Sequence, residues 1–409
     1  MSTDTSPVGS PAERANARNA FIAGFLGWTL DAFDYFILTY VLAQVGADFH
    51  RSVVDMAATI TVSLMVRPIG ALIFGLMADR YGRRLPLMLD VLFYSLVEVL
   101  CGFARTYRTF FMLRVLYGMA MGGEWGVGAS LAMESIPAKW RGILSGLLQE
   151  GYALGNLLAA LAFWWIFPHW GWRAMFFMGG LPALLVLYIR AKVKESEAWK
   201  AEVAARASWR AYLGAVVANW KRFLYLVLLV SALAFISHGT QDLYPTFLQQ
   251  QRRFSTEVTA MINVLSMVGA IVGGLLVGWY SDRHGRRRAM VTAAVLGVLL
   301  IPMWVFAPTM ASIAVGAFGM QFMVQGAWGV VPAHTTELSP GPLRGFFPGL
   351  AYQLGVLIAA GSATVEAALT RHFTYAQAMG GFAAISLVVG AIVIAAGPEA
   401  HRVRFGRAP

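Results

Sequence analysis

One passage of this 409-residue chain occurs twice, 203 residues apart. Residues 75–84 read GLMADRYGRR, and residues 278–287 read GWYSDRHGRR. The same offset continues beyond the passages and pairs Gly70 with Gly273, Gly123 with Gly326, Trp125 with Trp328, Glu134 with Glu337, and Arg141 with Arg344. Such a repeat predicts two homologous halves. When halves of this kind consist of apolar segments about 20 residues long, they predict a transporter whose substrate site lies between them.

The composition places both halves in a lipid bilayer. Hydrophobic residues make up 58% of the chain, 13% of the residues are charged, and the mean hydropathy is +0.61. The predicted fold is an all-α integral membrane protein of twelve transmembrane helices in two pseudo-symmetric six-helix halves. Segments able to cross a hydrocarbon layer of about 30 Å lie at residues 20–45, 54–78, 85–104, 109–131, 143–167, 172–190, 222–248, 256–280, 288–307, 310–333, 343–367 and 375–397.

The predicted domain organisation follows from these segments. The N-terminal half covers residues 20–190, and the C-terminal half covers residues 220–397. A linker at residues 191–219 has mixed charge and no apolar run, which predicts an amphipathic segment on the inner membrane surface, with a regulatory binding segment as the alternative. Tails at residues 1–19 and 398–409 complete the chain. Because the first tail is polar and the first apolar stretch contains two aspartates, we predict no cleaved signal peptide.

The distribution of Lys and Arg predicts the orientation of the helices. With both termini in the cytoplasm, 23 of the 32 Lys and Arg residues lie on cytoplasmic loops, tails and the linker, and seven lie on outer loops. This asymmetry is the positive-inside pattern. The net charge of +11 is then a topology signal with anionic lipid as its partner, and it requires no nucleic acid. We expect a multi-pass protein of the cell (inner) membrane.

The two repeated passages lie where an inward-running helix ends and a short inner loop begins. Arginines suit the negative end of a helix, Gly permits a tight turn, and Asp can accept hydrogen bonds. Anchoring of the arginines alone would leave the fixed Asp and Gly positions unexplained. The passage resembles the signature of the major facilitator superfamily, and the resemblance covers nearly the whole chain. It implies a conformational gate formed by Asp79, Arg80, Arg83, Glu134, Asp282, Arg283, Arg286, Glu337 and Arg344.

Helix four carries a second resemblance to that superfamily. Residues 114–122 read RVLYGMAMG, an intramembrane Arg followed by small residues at helical spacing. Small residues allow helices to approach closely. The resemblance adds Arg114 to the predicted gating set. The glycine-rich run at 122–128 is not a nucleotide-binding loop, because no strand precedes it and it lies inside a predicted span.

Charged residues at mid-membrane depth indicate where the substrate site lies. A charged side chain near the bilayer centre costs about 2.5–3.5 kcal/mol on insertion scales, so it usually faces a cavity or a partner. Arg67 lies near the middle of helix two. Asp31 and Asp34 share one face of helix one, and His238 and Asp242 share one face of helix seven. We expect the two acidic faces to look at each other across a central cavity, with Pro245 bending helix seven. The alternative is that these charges only pair to hold helices together. Glu98, on helix three, has no predicted partner.

Two segments resemble a narrower family. Residues 27–36, GWTLDAFDYF, look like helix one of the sialate:proton symporter family, which includes bacterial sialic acid permeases and fungal lactate/pyruvate permeases. Residues 237–246, SHGTQDLYPT, are similar to the helix-seven signature of the lactate branch, although Ala234 stands where that signature begins with Asn. The resemblance implies proton coupling by His238 and Asp242. It also implies substrate handling by an intramembrane Arg and a helix-eleven Gln, which Arg67 and Gln353 match in position.

These observations predict a proton-coupled symporter of small monocarboxylates, with lactate or pyruvate as cargo. The predicted substrate-binding residues are Arg67, Gln353, Asp31, Asp34 and Gln241, and the predicted proton-coupling residues are His238, Asp242, Asp31 and Asp34. Arg67 would offer a fork-shaped guanidinium to a carboxylate. The alternatives are a sialic acid or aromatic-acid proton symporter, since the latter shares the Asp-x-x-Asp of helix one, and a carboxylate sensor without sustained flux.

An enzyme is not expected, because no nucleophile–base spacing or metal-ligand spacing occurs in the sequence. The single cysteine, Cys101, excludes disulfides and Cys-based metal sites. We predict no cofactor, with the proton as the coupling ion. The expected partners are a carboxylate substrate, the proton and the lipid bilayer, and we expect a monomer.

Overall fold

The computed structural model describes residues 10–203, 209–401, 403 and 405, and within this part of the chain all regular structure is helical. The α-helices are α1 (Pro11–Asp48), α2 (Val53–Tyr81), α3 (Arg84–Phe103), α4 (Tyr107–Ser135), α5 (Arg141–Gln149), α6 (Gly151–Met178), α7 (Ala183–Lys192), α8 (Glu197–Val203), α9 (Trp209–Ala218), α10 (Trp220–Gln241), α11 (Tyr244–Gln250), α12 (Thr256–His284), α13 (Arg286–Ile301), α14 (Met310–Leu338), α15 (Phe347–Ala359), α16 (Ser362–Leu369) and α17 (Tyr375–Ala396).

The helices form the predicted twelve-span, two-half arrangement. Ten helical segments in the described residues are long and apolar enough to cross a membrane. Helix α4 is also long, but its charged residues lower its hydropathy. The fifth and sixth spans meet inside α6, where Gly171 has a φ of 70° and breaks the helix, and a turn within the sixth span separates α6 from α7. Helix seven consists of α10 and α11, and helix eleven consists of α15 and α16.

Helix α1 begins at Pro11, inside the segment predicted to be a polar tail. The cause is a capping box, in which the Ser10 hydroxyl accepts from the Glu13 amide and the Glu13 carboxylate accepts from the Ser10 amide. Residues 1–9 of that tail lie outside the described residues. The linker is also helical where it is described, because α8 and α9 lie within it.

Glycines allow the helix pairs of each half to pack closely. Helix α2 packs on α4, and the repeat-equivalent α12 packs on α14. A methyl group at Gly70 would overlap the carbonyl oxygen of Met119, and one at the equivalent Gly273 would overlap that of Phe322. Close backbone approach at small residues is a common source of stability between membrane helices. The repeat therefore preserves a packing requirement in both halves.

The two halves meet on the face that carries the repeated passages, which we call the motif face. There α15 packs against α2 and α4, and α5 packs against α12 and α14. Both described ends of the chain lie on this face. Near the start of α1, Asn16 accepts a hydrogen bond from the linker residue Lys194, and near the C-terminus Glu399 accepts one from Arg286.

Candidate functional site

The gate on the motif face is built around Asp79. Its carboxylate accepts hydrogen bonds from the backbone amides of Gly345, at 2.7 Å, and Phe346, at 3.2 Å. These amides immediately precede α15 in the opposite half, where free N–H groups and the helix dipole favour an anion. The aspartate of one half therefore caps a helix of the other.

Asp282 makes the equivalent contacts in the reverse direction. It accepts from the amides of Gly142, at 2.7 Å, and Ile143, at 3.0 Å, in the first turn of α5. The gate thus repeats with the pseudo-symmetry of the sequence. Because both caps join the halves, the motif face is closed in this structure.

An ion-pair cluster holds each aspartate in place. In the N-terminal half, Arg83 binds Asp79 and Glu134, each at 2.8 Å, and all three side chains are buried. In the C-terminal half, Arg286 binds Asp282 at 2.8 Å and Glu337 at 2.9 Å. Buried pairs of this kind are costly to break one partner at a time.

Two further arginines connect the halves. Arg141 binds Glu337 across the interface at 2.7 Å. Arg344 interacts electrostatically with Glu134 of the other half. The guanidinium carbons of Arg141 and Arg344 lie 4.1 Å and 4.2 Å from the centroid of the Phe405 ring, so the C-terminal segment contacts the gate from both sides.

Three members of the predicted gating set lie outside these clusters. Arg80 and Arg283 are exposed on the motif face, and Arg283 stacks on Trp279 at 3.8 Å. Arg114 is buried well away from the motif face and pairs with Glu98 at 2.7 Å. That pair supplies the partner for Glu98 that sequence reasoning did not find.

The linker contacts the gate directly. Trp199 on α8 donates to the backbone carbonyl of Asp79 at 3.0 Å, and Tyr212 on α9 donates to its carboxylate at 3.0 Å. Glu195 accepts from the amide of Arg83 at 2.8 Å. The described part of the linker is therefore a structural element of the closed gate.

Arg67 lies between α2 and α4 at the interface of the halves. Its side chain is 7% exposed, its Nη2 lies 3.0 Å from the sulfur of Met121, and its guanidinium carbon lies 5.5 Å from the centroid of the Tyr35 ring. It makes no salt bridge with any described residue. Asp31 and Tyr352 are within electrostatic range of it. An arginine in this state can donate hydrogen bonds to the carboxylate of a bound substrate.

Aromatic rings form the wall near Arg67. Trp125 stacks on Tyr352 with centroids 4.0 Å apart, and its repeat equivalent Trp328 meets the same ring edge-on at 5.9 Å. Trp28 stacks on Tyr152 at 5.4 Å, and its indole N–H is buried without a hydrogen-bond partner among the residues that the structure describes. Sequence reasoning missed these residues, although the repeat of Trp125 and Trp328 was a signal for them.

Gln353 lies on α15 beside this wall. It is buried and donates to the carbonyl of Gly122 on α4 at 3.4 Å, a long hydrogen bond. The structure therefore places Gln353 in the same interface as Arg67. Gln241 lies elsewhere, in a polar strip of the C-terminal half.

The polar strip begins at the break of helix seven. His238 Nδ1 lies 3.0 Å from Asp242 Oδ2, and both side chains are 35% exposed. Gln241 donates to Ser237 and to Gln321 on α14, each at 3.0 Å. Helix α10 ends at Gln241, four residues before the proline that was predicted to bend helix seven. Broken helices with polar side chains are typical of binding sites in transporters.

Asp31 and Asp34 do not line an open cavity in this structure. Both are completely buried, and within the part of the chain that the structure describes their carboxylate oxygens have no hydrogen-bond partner. Their face of α1 is directed at α4, where Glu124 contacts Gly27. This face of α1 packs on α4, so the predicted opposition to the acidic face of helix seven across a cavity is not seen.

Sequence reasoning did not single out three other completely buried acids: Asp90, Glu124 and Glu366. None of their carboxylate oxygens has a hydrogen-bond partner among the described residues. Each lies inside a predicted span, which is the signal that identified Glu98. In the described residues, no group of three or more His, Cys, Asp or Glu side chains is arranged to hold a metal ion. Buried acids without cations can instead bind protons.

Comparisons with known proteins agree with this architecture. A family model described as Major Facilitator Superfamily matches residues 24–363. A probable 4-methylmuconolactone transporter of Cupriavidus pinatubonensis is 31% identical over 97% of this chain and 93% of its own length. The sialic acid transporter NanX of Escherichia coli is 31% identical over 83% of this chain and 84% of its own length.

A carboxylic acid transporter protein homolog of Saccharomyces cerevisiae is 30% identical over 87% of this chain, which spans 62% of the yeast protein. Among solved structures, the proton:xylose symporter XylE bound to 6-bromo-6-deoxy-D-glucose has a TM-score of 0.73. That likeness covers 96% of this chain and 98% of XylE at 17% identity, and it concerns the fold alone.

Proposed function

The chain belongs to the major facilitator superfamily and is a membrane transporter, and we propose that it is a proton-coupled symporter of small monocarboxylates. We further propose lactate and pyruvate as its cargo, and alternating access of the two halves as its mechanism. The names of the relatives support a small organic acid as the substrate class.

The observation that carries this proposal is the state of Arg67. Its guanidinium lies at the interface of the halves, buried and without a salt-bridge partner among the described residues. A buried arginine without an anion is unfavourable, and a substrate carboxylate would relieve that cost with two parallel hydrogen bonds. The indole N–H of Trp28, which has no partner in the described ranges either, would supply a further donor to a bound acid.

Proton coupling follows from competition for the same guanidinium. Asp31 is within electrostatic range of Arg67, and its carboxylate forms no hydrogen bond with the described part of the chain. When a substrate carboxylate occupies Arg67, Asp31 loses its nearest cation. A buried carboxylate without a cation takes up a proton, so substrate binding would favour proton binding. His238 and Asp242 provide a second, more exposed proton-binding pair on helix seven.

The position of this conformation in the proposed transport cycle depends on which side of the membrane the closed motif face occupies. If that face is cytoplasmic, as the Lys and Arg distribution predicts, the structure represents the state before cargo is released inside. Release then requires Asp79 and Asp282 to leave the helix ends that they cap. A monocarboxylate carried with one proton would make the cycle electroneutral.

The aromatic wall favours a second class of cargo. Trp28, Trp125, Trp328, Tyr152 and Tyr352 present flat surfaces that suit a planar, unsaturated or cyclic carboxylate. An aromatic-acid or lactone-acid symporter is therefore the alternative. The muconolactone transporter among the relatives is consistent with it.

The test is uptake into proteoliposomes that contain the purified protein. An acidic outside and a neutral inside should drive accumulation of labelled lactate, and collapse of the gradient with a protonophore should abolish it. Unlabelled pyruvate, benzoate and sialic acid are added as competitors to rank the cargo. Competition by benzoate but not pyruvate would select the aromatic-acid alternative.

Binding without uptake would identify a sensor. Uptake that is unaffected by the protonophore would contradict proton coupling. Empty liposomes provide the control for diffusion of the neutral acids, which cross lipid without a carrier.

A further inference from the structure

Glu366 lies in helix eleven beside the break of helix seven. Its side chain is completely buried on α16, and neither carboxylate oxygen has a hydrogen-bond partner among the described residues. A methyl group placed on Gly239 would lie 3.6 Å from Glu366 Oε1, so this carboxylate contacts the turn between His238 and Asp242. Glu366 also interacts electrostatically with Asp242.

The surroundings of Glu366 contain almost no positive charge. The helices that pack against α16 are α10 and α17. Helix α17 carries no Asp, Glu, Lys, Arg or His, and His238 is the ionisable group of α10 at this end. Lys221 and Arg222 lie at the other end of α10, while Arg371 and His372, which follow α16, are exposed.

The opposite side of the site is apolar. The ring of Phe382 presses on Gly239 and lines a cavity of about 740 Å³ between α10, α16 and α17. Phe235, Val365 and Phe373 line the same cavity. An ionised carboxylate here would have neither water nor a fixed cation, which is the condition in which a buried acid keeps its proton.

We propose that Glu366 is a proton-binding residue that acts together with Asp242 and His238 in the transport cycle. A proton enters at the partly exposed His238–Asp242 pair and passes to Glu366. In that step the O–H bond at Asp242 breaks, a new O–H bond forms at Glu366, and Asp242 is left ionised beside His238. Because two neighbouring carboxylates do not both ionise readily, the pair holds one proton in a defined place. This inference deepens the proposed proton coupling and rests on it for its role in transport.

The first experiment needs no substrate. Infrared spectra of the purified protein are recorded for the wild type, for Glu366→Gln, and for Glu257→Gln as a matched control on an exposed glutamate. We expect the wild-type-minus-Glu366→Gln difference to contain the C=O band of a buried carboxylic acid at neutral pH. The Glu257→Gln difference should lack that band. A Glu366→Gln difference that shows only carboxylate bands would overturn the proposal.

The second experiment measures coupling in proteoliposomes, with the carboxylate that the wild type accumulates as the probe. Glu366→Gln should lose gradient-driven accumulation by at least tenfold while exchange of internal for external probe continues. Glu366→Asp, which keeps an ionisable group, should restore part of the accumulation. Wild-type accumulation by Glu366→Gln would overturn the coupling role.

The two experiments separate this inference from the proposed function. If the wild type accumulates none of the carboxylates under a pH gradient, the proposed function fails, and the infrared result still decides whether Glu366 holds a proton. If Glu366→Gln does not fold, the shifted carboxylic-acid band of Glu366→Asp decides the same point. An unshifted band in that variant would overturn the proposal.

Discussion

The guanidinium of Arg67 is the side chain on which the proposed substrate site depends. We expect Arg67→Lys to fold but to bind the cargo at least about tenfold more weakly, because a charged hydrogen bond is worth about 1.5–3 kcal/mol and Lys cannot form the bidentate pair. Equilibrium binding of labelled carboxylate to purified protein measures this. The matched control is Arg371→Lys, on an exposed loop residue. Binding by Arg67→Lys within twofold of the wild type would remove Arg67 from the site.

Asp242 tests the proton step at the same scale. If the empty carrier returns only after this region releases a proton, Asp242→Asn should abolish uphill uptake driven by a pH gradient. Exchange of internal for external cargo does not need the empty carrier to reorient, so it should persist. The structural basis is the 3.0 Å contact between Asp242 and His238 at the break of helix seven.

Comparing the two assays on the same vesicles provides the internal control for protein insertion. Accumulation at the wild-type level by Asp242→Asn would instead direct attention to Asp31 and Asp34. Loss of both activities would indicate a structural role for the pair.

At the scale of single side chains, the sequence predicted which residues matter but not which residues they contact. Charged residues within apolar spans identified Arg67, His238 and Asp242, because an intramembrane charge needs a reason to be there. The pairing of Glu98 with Arg114 was not predictable, since it depends on the rotation of α3 against α4. The rotation of α1 about its own axis directs Asp31 and Asp34 toward α4, and periodicity on one helix cannot reveal that rotation.

The helical spans were more predictable from the sequence than the contacts between their side chains. Apolar length predicts the spans, because a bilayer of fixed thickness requires a minimum helix length. The positions of breaks inside spans were less predictable: helix seven breaks after Gln241, four residues before Pro245, and helix eleven is interrupted between α15 and α16. These breaks depend on tertiary contacts. The linker also forms helices that dock on the gate, where composition alone predicted only an amphipathic segment.

Close packing of α2 on α4 gives a prediction about stability. Gly70→Ala should lower the thermal midpoint of the detergent-solubilised protein, because the new methyl group would overlap the backbone of Met119. Overpacking of this kind costs about 1–3 kcal/mol. Gly273→Ala, at the equivalent position, should behave alike. The control is Gly381→Ala, on α17, where a methyl group meets nothing within 4 Å. Equal midpoints for Gly70→Ala and Gly381→Ala would contradict this account of the packing.

At the scale of the whole molecule, the repeat predicts the symmetry of the gate but not its contacts. The 203-residue offset of the repeat identifies the equivalent residues in the two halves. The capping of α15 by Asp79 and of α5 by Asp282 joins residues of opposite halves, which only the assembled structure reveals. Because the two caps are equivalent, each should contribute a similar share to the closed state.

Asp79→Asn tests that share. The substitution keeps the shape of the side chain, but it removes the charge that faces two amides and Arg83 and leaves one strong acceptor oxygen instead of two. Hydrogen bonds to a charged group contribute about 1.5–3 kcal/mol each. Weakening one of them by about 1.4 kcal/mol shifts the ratio of closed to open molecules by about tenfold. We therefore expect a larger population that is open on the motif face, with unchanged cargo selectivity.

The shift can be measured as a distance between two spin labels on the motif face. The labels are attached to cysteines introduced at Tyr81 and Arg288, which are exposed and belong to opposite halves, after Cys101→Ser removes the single native thiol. Asp79→Asn and Asp282→Asn should each add a population at longer distance. Asp55→Asn is the control, because that carboxylate accepts hydrogen bonds from Ser52 at the start of its own helix and takes no part in the gate. If the distance distributions of Asp79→Asn and Asp55→Asn coincide, the aspartate caps do not hold the motif face closed, and the other contacts between the halves, such as the ion pair between Arg141 and Glu337, carry that role.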